Sequence, residues 1–160
     1  FYNHRVQHLN ADGAFIKQWG TTGETGKGAG EFTYPTDVAL GKDGALYVAD
    51  GYGNRIQVFD TGGEFLRKWG GPFGLGLYGP FKGWITTVTS VAIGPEGGVF
   101  VADFYNDRFQ KFTAMGDYLT AFGTPPDNPG HTAMAVDVGK DGALWSVNFA
   151  DNRVEQWRPE

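Results

Sequence analysis

Between Asp50 and Arg55 the chain crowds a carboxylate, a tyrosine, an asparagine and a guanidinium into six residues. An acid and an arginine at this spacing can form a charge-assisted hydrogen bond, or can hold and polarise a substrate. Three histidines, His4, His8 and His131, are the other candidates for chemistry. His4 and His8 are four residues apart, which on a strand puts them on one face but too far apart for easy chelation. His131 follows a Pro/Gly segment, and all three are expected to be solvated surface histidines. There is no cysteine, which excludes disulfides and thiolate metal sites, and there is no Gly-x-Ser-x-Gly elbow. The acids gather in turns, where solvation is the default.

The Asp50–Arg55 constellation recurs, and recurrence changes its reading. Aligned on the arginine, the copies are Tyr2-Asn3-His4-Arg5, Tyr52-Gly53-Asn54-Arg55, Tyr105-Asn106-Asp107-Arg108 and Ala150-Asp151-Asn152-Arg153, spaced by 50, 53 and 45 residues. Asp50, Asp103 and Asn148 each precede their arginine by five. A catalytic group is needed once per site, whereas this pair repeats, so Asp50–Arg55, Asp103–Arg108 and Asn148–Arg153 are read as a structural clamp between adjacent strands. The aromatics fourteen residues after each arginine, Trp19, Trp69 and Phe122, are read as wedges between neighbouring sheets. Tyr2, Tyr52 and Tyr105 share one loop slot, where packing is favoured and recognition is the second role.

These residues must be positioned by strands. With 26 glycines, 16% aromatics and 41% hydrophobic residues among 160, the composition is all-β, with tight turns joining strands that carry large side chains. The expected pieces are a half unit over 1–20, complete four-stranded units over 35–70 and 88–123, and an incomplete unit over 131–160. Period-2 alternation in Val38/Leu40, Leu46/Val48 and Ile56/Val58 supports a four-stranded meander, with Asp-Gly and Gly-Gly turns between strands. Thr124–Gly130 interrupts regular structure with three prolines, and Pro159 ends the last unit before a fourth strand. Gly23, Gly26, Gly28 and Gly30 resemble a phosphate loop in spacing, but no Gly-Lys-Ser/Thr follows, and the segment reads as a crossover. The crossover from Gly71 to Thr87 is long and aromatic; Phe73, Tyr78 and Trp84 are candidate binding residues there, against a role in capping the gap between units. A net charge of −5 argues against nucleic acid as the main partner, and no apolar run reaches the length of a membrane span.

The segment Pro35–Gly70, with Val-Ala-Leu-Gly-x-Asp-Gly-x-Leu-Tyr-Val-Ala-Asp, Asn-Arg-Ile-Gln-Val-Phe and Gly-x-Phe-Leu-x-x-Trp-Gly at fixed spacing, resembles the NHL repeat. The resemblance implies a β-propeller, commonly six-bladed, with four antiparallel strands per blade. It also implies an interaction platform for proteins and, in some families, RNA. Peptidyl-hydroxyglycine amidating lyases form a neighbouring branch, and their Asp-Gly-Tyr loop is matched by Asp50-Gly51-Tyr52. The zinc histidines of that branch fall on Thr36, Thr89 and Met134, none of which supplies an imidazole. Asp37 matches the carboxylate that follows the first of them; by resemblance it faces the channel and is a candidate calcium ligand, the one cofactor the reading admits.

Two complete and two partial blades do not close a ring, and an open arc leaves apolar faces bare. The expectation is closure into about six blades, either within a larger ring or as a homodimer. The leading function is a non-catalytic scaffold for a protein or peptide ligand. The alternative is a metal-dependent lyase or hydrolase whose site forms only in the complete ring.

Overall fold

The computed structural model describes residues 2–123 and 131–158. The expected breaks at Thr124–Gly130 and at Pro159 lie outside the described residues. Among the described residues thirteen strands form four antiparallel sheets. The first sheet is β1 (Val6–Leu9) and β2 (Phe15–Trp19). The second is β3 (Pro35–Leu40), β4 (Leu46–Asp50), β5 (Arg55–Phe59) and β6 (Phe65–Trp69), and the third is β7 (Val88–Ile93), β8 (Val99–Asp103), β9 (Arg108–Phe112) and β10 (Tyr118–Phe122). The fourth is β11 (Ala133–Val138), β12 (Leu144–Asn148) and β13 (Arg153–Trp157). Each sheet is a meander, because consecutive strands pair in sequence order.

All the strands read from the sequence are present, with small differences at their ends. Asp50, Asp103 and Asn148 are the last residues of β4, β8 and β12 rather than the start of a loop, and each stands directly opposite its arginine in register. Two short 3-10 turns, Pro72–Gly74 and Phe104–Asn106, carry no periodicity that sequence could reveal.

Neighbouring sheets pack face to face, which is why β5 is buried along its whole length. Tyr47, Ala49, Ile56 and Trp69 of the second sheet bury against Val88, Val91, Val99 and Phe112 of the third. Ala102 and Phe109 repeat that role against Ala133, Val136 and Leu144 of the fourth. On the other side, Val48 and Phe59 pack with Phe32, Val6 and Trp19. The wedge aromatics fill these seams as read: Trp19 lies 6.1 Å from Phe59, Trp69 6.0 Å from Phe112 and Phe122 5.5 Å from Trp157. Gly116, in the turn after β9, lies directly against the Trp69 indole at φ +94°, so a side chain there has neither a relaxed backbone nor room.

The inner strands are also cross-linked by polar groups. Thr36 Oγ1 donates to the Val88 carbonyl at 2.8 Å, and Thr89 Oγ1 to the Ala133 carbonyl at 3.1 Å. Apolar side chains stay exposed at two places: Val38 and Leu40, on the strand of the second sheet that the two-stranded first sheet does not cover, and Trp145, Val147 and Val154 on the fourth sheet, in the positions that Phe100, Ala102 and Phe109 occupy where a next sheet covers them.

Candidate functional site: clasped crossovers and an aromatic rim

Arg55 and Arg108, which open the third strands of the second and third sheets, are each turned back onto the crossover leading into their own sheet. Arg55 is 1% exposed, and its Nε donates to Asp50 Oδ2 at 2.7 Å. Its terminal nitrogens donate to the carbonyls of Gly26, Gly28 and Glu31 at 3.2, 3.3 and 2.7 Å, and to that of Lys27. Gln57 completes the clasp, donating to the Glu31 carbonyl at 2.6 Å and accepting from the Gly30 N–H at 3.0 Å. Asp50 Oδ1 takes the Thr33 N–H at 2.6 Å. The glycine-rich segment thus presents carbonyls to a cation, the opposite polarity to a phosphate cradle of N–H groups.

The third sheet repeats the arrangement. Arg108 donates to Asp103 at 2.8 Å and to the carbonyls of Pro80, Phe81 and Trp84 at 2.8, 2.8 and 3.0 Å. Gln110 holds Gly83 and Trp84, and Asp103 Oδ1 accepts from the Thr86 N–H at 2.7 Å.

In the fourth sheet the charge is relocated, which modifies the clamp read from the sequence. Asn148 stands in the acid's slot and cannot form an ion pair, while Glu155 takes the slot of Gln57 and Gln110. Arg153 Nε pairs with Glu155 Oε1 at 2.7 Å and a terminal nitrogen lies 3.3 Å from Asp151. Asn148 Nδ2 donates to Asp151 and Glu155 at 3.0 and 3.3 Å. In the first sheet Arg5 donates to Thr22 Oγ1 at 2.7 Å.

The residue before each arginine has a second task. His4, Asn54 and Asp107 adopt left-handed conformations, with φ of 52°, 53° and 52°. Their side chains accept the N–H of Tyr34, Thr87 and Thr132 at 3.1, 2.8 and 3.0 Å, in the crossover leading to the next sheet. His4 is therefore not the solvated histidine its sequence suggests: it is buried, with an unprotonated Nδ1 accepting a backbone hydrogen bond. His8 is exposed, as expected. His131 packs against the Tyr105 ring at 4.5 Å, with Nδ1 3.3 Å from Asp107.

Asp37 is engaged by the neighbouring sheet. Its Oδ2 accepts from Ser90 Oγ at 2.8 Å and from the Val91 N–H at 3.0 Å. Its Oδ1 accepts from the Val38 N–H at 2.8 Å. Of the three slots that correspond to zinc ligands in the lyase branch, Thr36 and Thr89 tie inner strands together and Met134 is exposed. Among the described residues no three His, Asp or Glu side chains are grouped to hold a metal ion.

The turns between second and third strands and the ends of the crossovers lie on one rim, joined by backbone bonds such as Tyr52 N–H to Thr33, Tyr105 N–H to Thr86 and Phe149 N–H to Thr132. This rim is aromatic. Tyr2, Tyr52 and Tyr105 are 77%, 51% and 46% exposed, so the shared slot presents its ring to solvent rather than packing it inward. Tyr34 meets Tyr2 and Tyr52 edge-on at 5.6 and 5.3 Å. A second group joins Phe104 to Tyr105, His131 and Phe149 at 5.1, 5.0 and 6.4 Å. Sequence reading missed Tyr34, Phe104 and Phe149, although Phe104 and Phe149 each directly follow the clasp's Asp103 or Asn148 and an alignment of the copies marks them. Along the long crossover Phe73 and Tyr78 are exposed, whereas Trp84 is half-buried with Phe81 5.0 Å away. The opposite rim consists of hairpin turns carrying Asp12, Asp43, Glu96 and Asp141, all exposed.

This repeated arrangement has known counterparts. The family model described as NHL repeat matches residues 32–59. Mouse NHL repeat-containing protein 3 is 31% identical over 127 residues, covering 76% of this chain and 35% of its own length. The chain contains an NHL repeat. It spans about a third of that curated relative. Virginiamycin B lyase from Staphylococcus aureus superposes with a TM-score of 0.66 at 17% identity, over 99% of this chain and 50% of its own. The WD40 repeats of RRP9 give a TM-score of 0.72 at 13% identity, over 98% and 42%. At such identities the likeness establishes the propeller-like fold alone.

Burial raises the pKa of Asp50 and Asp103 above the ordinary carboxylate range; at Asp50 this outweighs the opposing Arg55 charge, and at Asp103 the Thr86 N–H and the Asn106 and Arg108 donors. A carboxyl raised in the folded state takes up its proton there before the unfolded chain does. Its contribution to stability therefore grows as pH falls through the raised value, and levels off below about 3.9, the unfolded value. Melting temperatures measured from neutral pH down to about pH 4 should fall more steeply for Asp103→Asn than for the native chain; parallel profiles would refute the assignment. Charge relocation in the fourth sheet makes a second expectation. Asn148→Asp puts a third carboxylate beside Arg153 and should cost about 1 kcal/mol in chemical denaturation, while adding Glu155→Gln should restore most of the loss. Additive losses in the double variant would show that the two positions do not share a charge.

Proposed function

We propose that the chain forms part of a propeller that serves as a non-catalytic interaction scaffold, taking a protein or peptide on its aromatic rim. The observation that carries this reading is the division of labour among its polar groups. The constellations that look catalytic, Asp50–Arg55 and Asp103–Arg108, are consumed in holding crossovers, while Tyr2, Tyr52, Tyr105 and Phe149 stand in solvent together on one rim of the clasped frame. Exposed aromatics on a rigid frame are the usual anchors of protein recognition. Metal-dependent lyase or hydrolase chemistry in a complete ring would have to draw on groups other than these clasps. Calcium at Asp37 would have to displace Ser90 and Val91 from its carboxylate.

The bare faces around Val38/Leu40 and Trp145/Val147/Val154 support closure into a ring of about six blades, by further blades of the same polypeptide or by a second copy in a homodimer. A photo-reactive residue at Tyr52 should give discrete protein adducts, and one at Asp43 on the opposite rim should not. Equal labelling at both positions would sink the rim assignment. For closure by a second copy, light scattering should give twice the chain mass, and a soluble monomer at high concentration would count against it.

A further inference from the structure

Resting on the scaffold reading, we propose that the crossover from Gly71 to Thr87 docks an acidic peptide segment that carries apolar anchors. Phe73, Tyr78 and Phe81 are 93%, 71% and 61% exposed, with Leu75 and Leu77 half exposed between them. Five large, exposed apolar side chains thus fall within nine residues, a density that soluble surfaces seldom leave uncovered.

The loop is held in this form from beneath. Gly76 donates to the Gly70 carbonyl at 2.9 Å and its own carbonyl accepts from Asn54 Nδ2 at 3.3 Å. Gly76 adopts φ +68° and presses on the Gly53 carbonyl, where no Cβ fits. Asn106 Nδ2 donates to the Gly79 carbonyl at 2.9 Å, and Arg108 holds Pro80 and Phe81. With its backbone groups bound inward, the loop must throw its side chains outward. Phe73 is even held at φ 56°, a left-handed conformation that is strained for a non-glycine residue. A surface ordered before binding loses little entropy on receiving a partner.

Charge chooses the partner. Between Gly71 and Pro95 there is no aspartate or glutamate. Lys82 is exposed beside Phe81, and the Lys68 side chain lies against Gly74 with Nζ on the Lys27 carbonyl at 3.0 Å. The nearest acid of the clasp, Asp103, is buried and committed to Arg108. On a chain of net charge −5 this is a local basic and apolar spot, whose complement is an acidic and apolar segment. An anionic bilayer would also meet Glu24 and Glu31, exposed on the neighbouring crossover of the same rim.

Fluorescence anisotropy with a labelled peptide of alternating leucine and glutamate, against its leucine–lysine counterpart, tests this. The acidic peptide should bind at least roughly tenfold tighter, Lys82→Glu should remove that preference, and Phe73→Asn with Tyr78→Ser should abolish binding. Asparagine accepts the left-handed backbone of position 73, and circular dichroism should show both variants folded. Equal affinity for the two peptides, absence of binding, or partition onto anionic phosphatidylserine vesicles instead would overturn the proposal. Adducts at Tyr52 with no preference for the acidic peptide would retain the scaffold reading while discarding this partner.

Discussion

A guanidinium removed from water has to recover its acceptors from the protein, and Arg55 recovers them from the chain that leads into its own sheet. Asp50 balances the charge, and the carbonyls of the Gly26–Glu31 segment fill the rest of the donor set. Breaking such a buried pair costs several kcal/mol, whereas its net contribution against an apolar replacement is small. What the clasp secures is therefore the path of the crossover more than the stability of the fold. The far end of each crossover then meets the left-handed residue of the preceding sheet, His4, Asn54 or Asp107, so consecutive sheets are joined by polar contacts at one rim and by aromatic wedges within.

The same arrangement divides the molecule into two unlike rims. Hairpin turns on one side bring charged residues into water. On the other side the crossovers have their polar backbone drawn inward by Arg55 and Arg108, which leaves little for the surface except side chains. A crossover of small residues, such as Thr21–Gly30, then reads as bland, while the aromatic one from Gly71 reads as a recognition surface. Rigidity and exposure thus arise from one cause.

Strands were legible because period-2 alternation and Asp-Gly turns are local signals, and comparison of Asp50, Asp103 and Arg55, Arg108 among the copies exposed the clamp without any partner in view. The carbonyl acceptors were not legible, because a backbone oxygen leaves no trace in residue type. The role of His4 is hidden for a related reason: it is set by a left-handed backbone that also accepts Asn54 and Asp107, three side chains that share the place before the arginine and an acceptor atom but not a residue type. Resemblance puts Asp37 on a channel, whereas its bonds to Ser90 and Val91 depend on a strand more than 50 residues away, 53 at Ser90. The tyrosine slot was legible as a rim position, but its exposure was not, since repetition suits packing and recognition equally.

The relocated charge in the fourth sheet bears on how such repeats can change over time. In the second and third sheets the acid lies on the second strand and the neutral amide on the third; in the fourth, Asn148 and Glu155 reverse them. A blade recombined from the second strand of one repeat and the third strand of the other would set either two acids or none of its strand residues beside the arginine. Exchange of a whole hairpin spanning both strands keeps one acid beside the arginine, whereas exchange of a single strand does not, so the two positions can change only together.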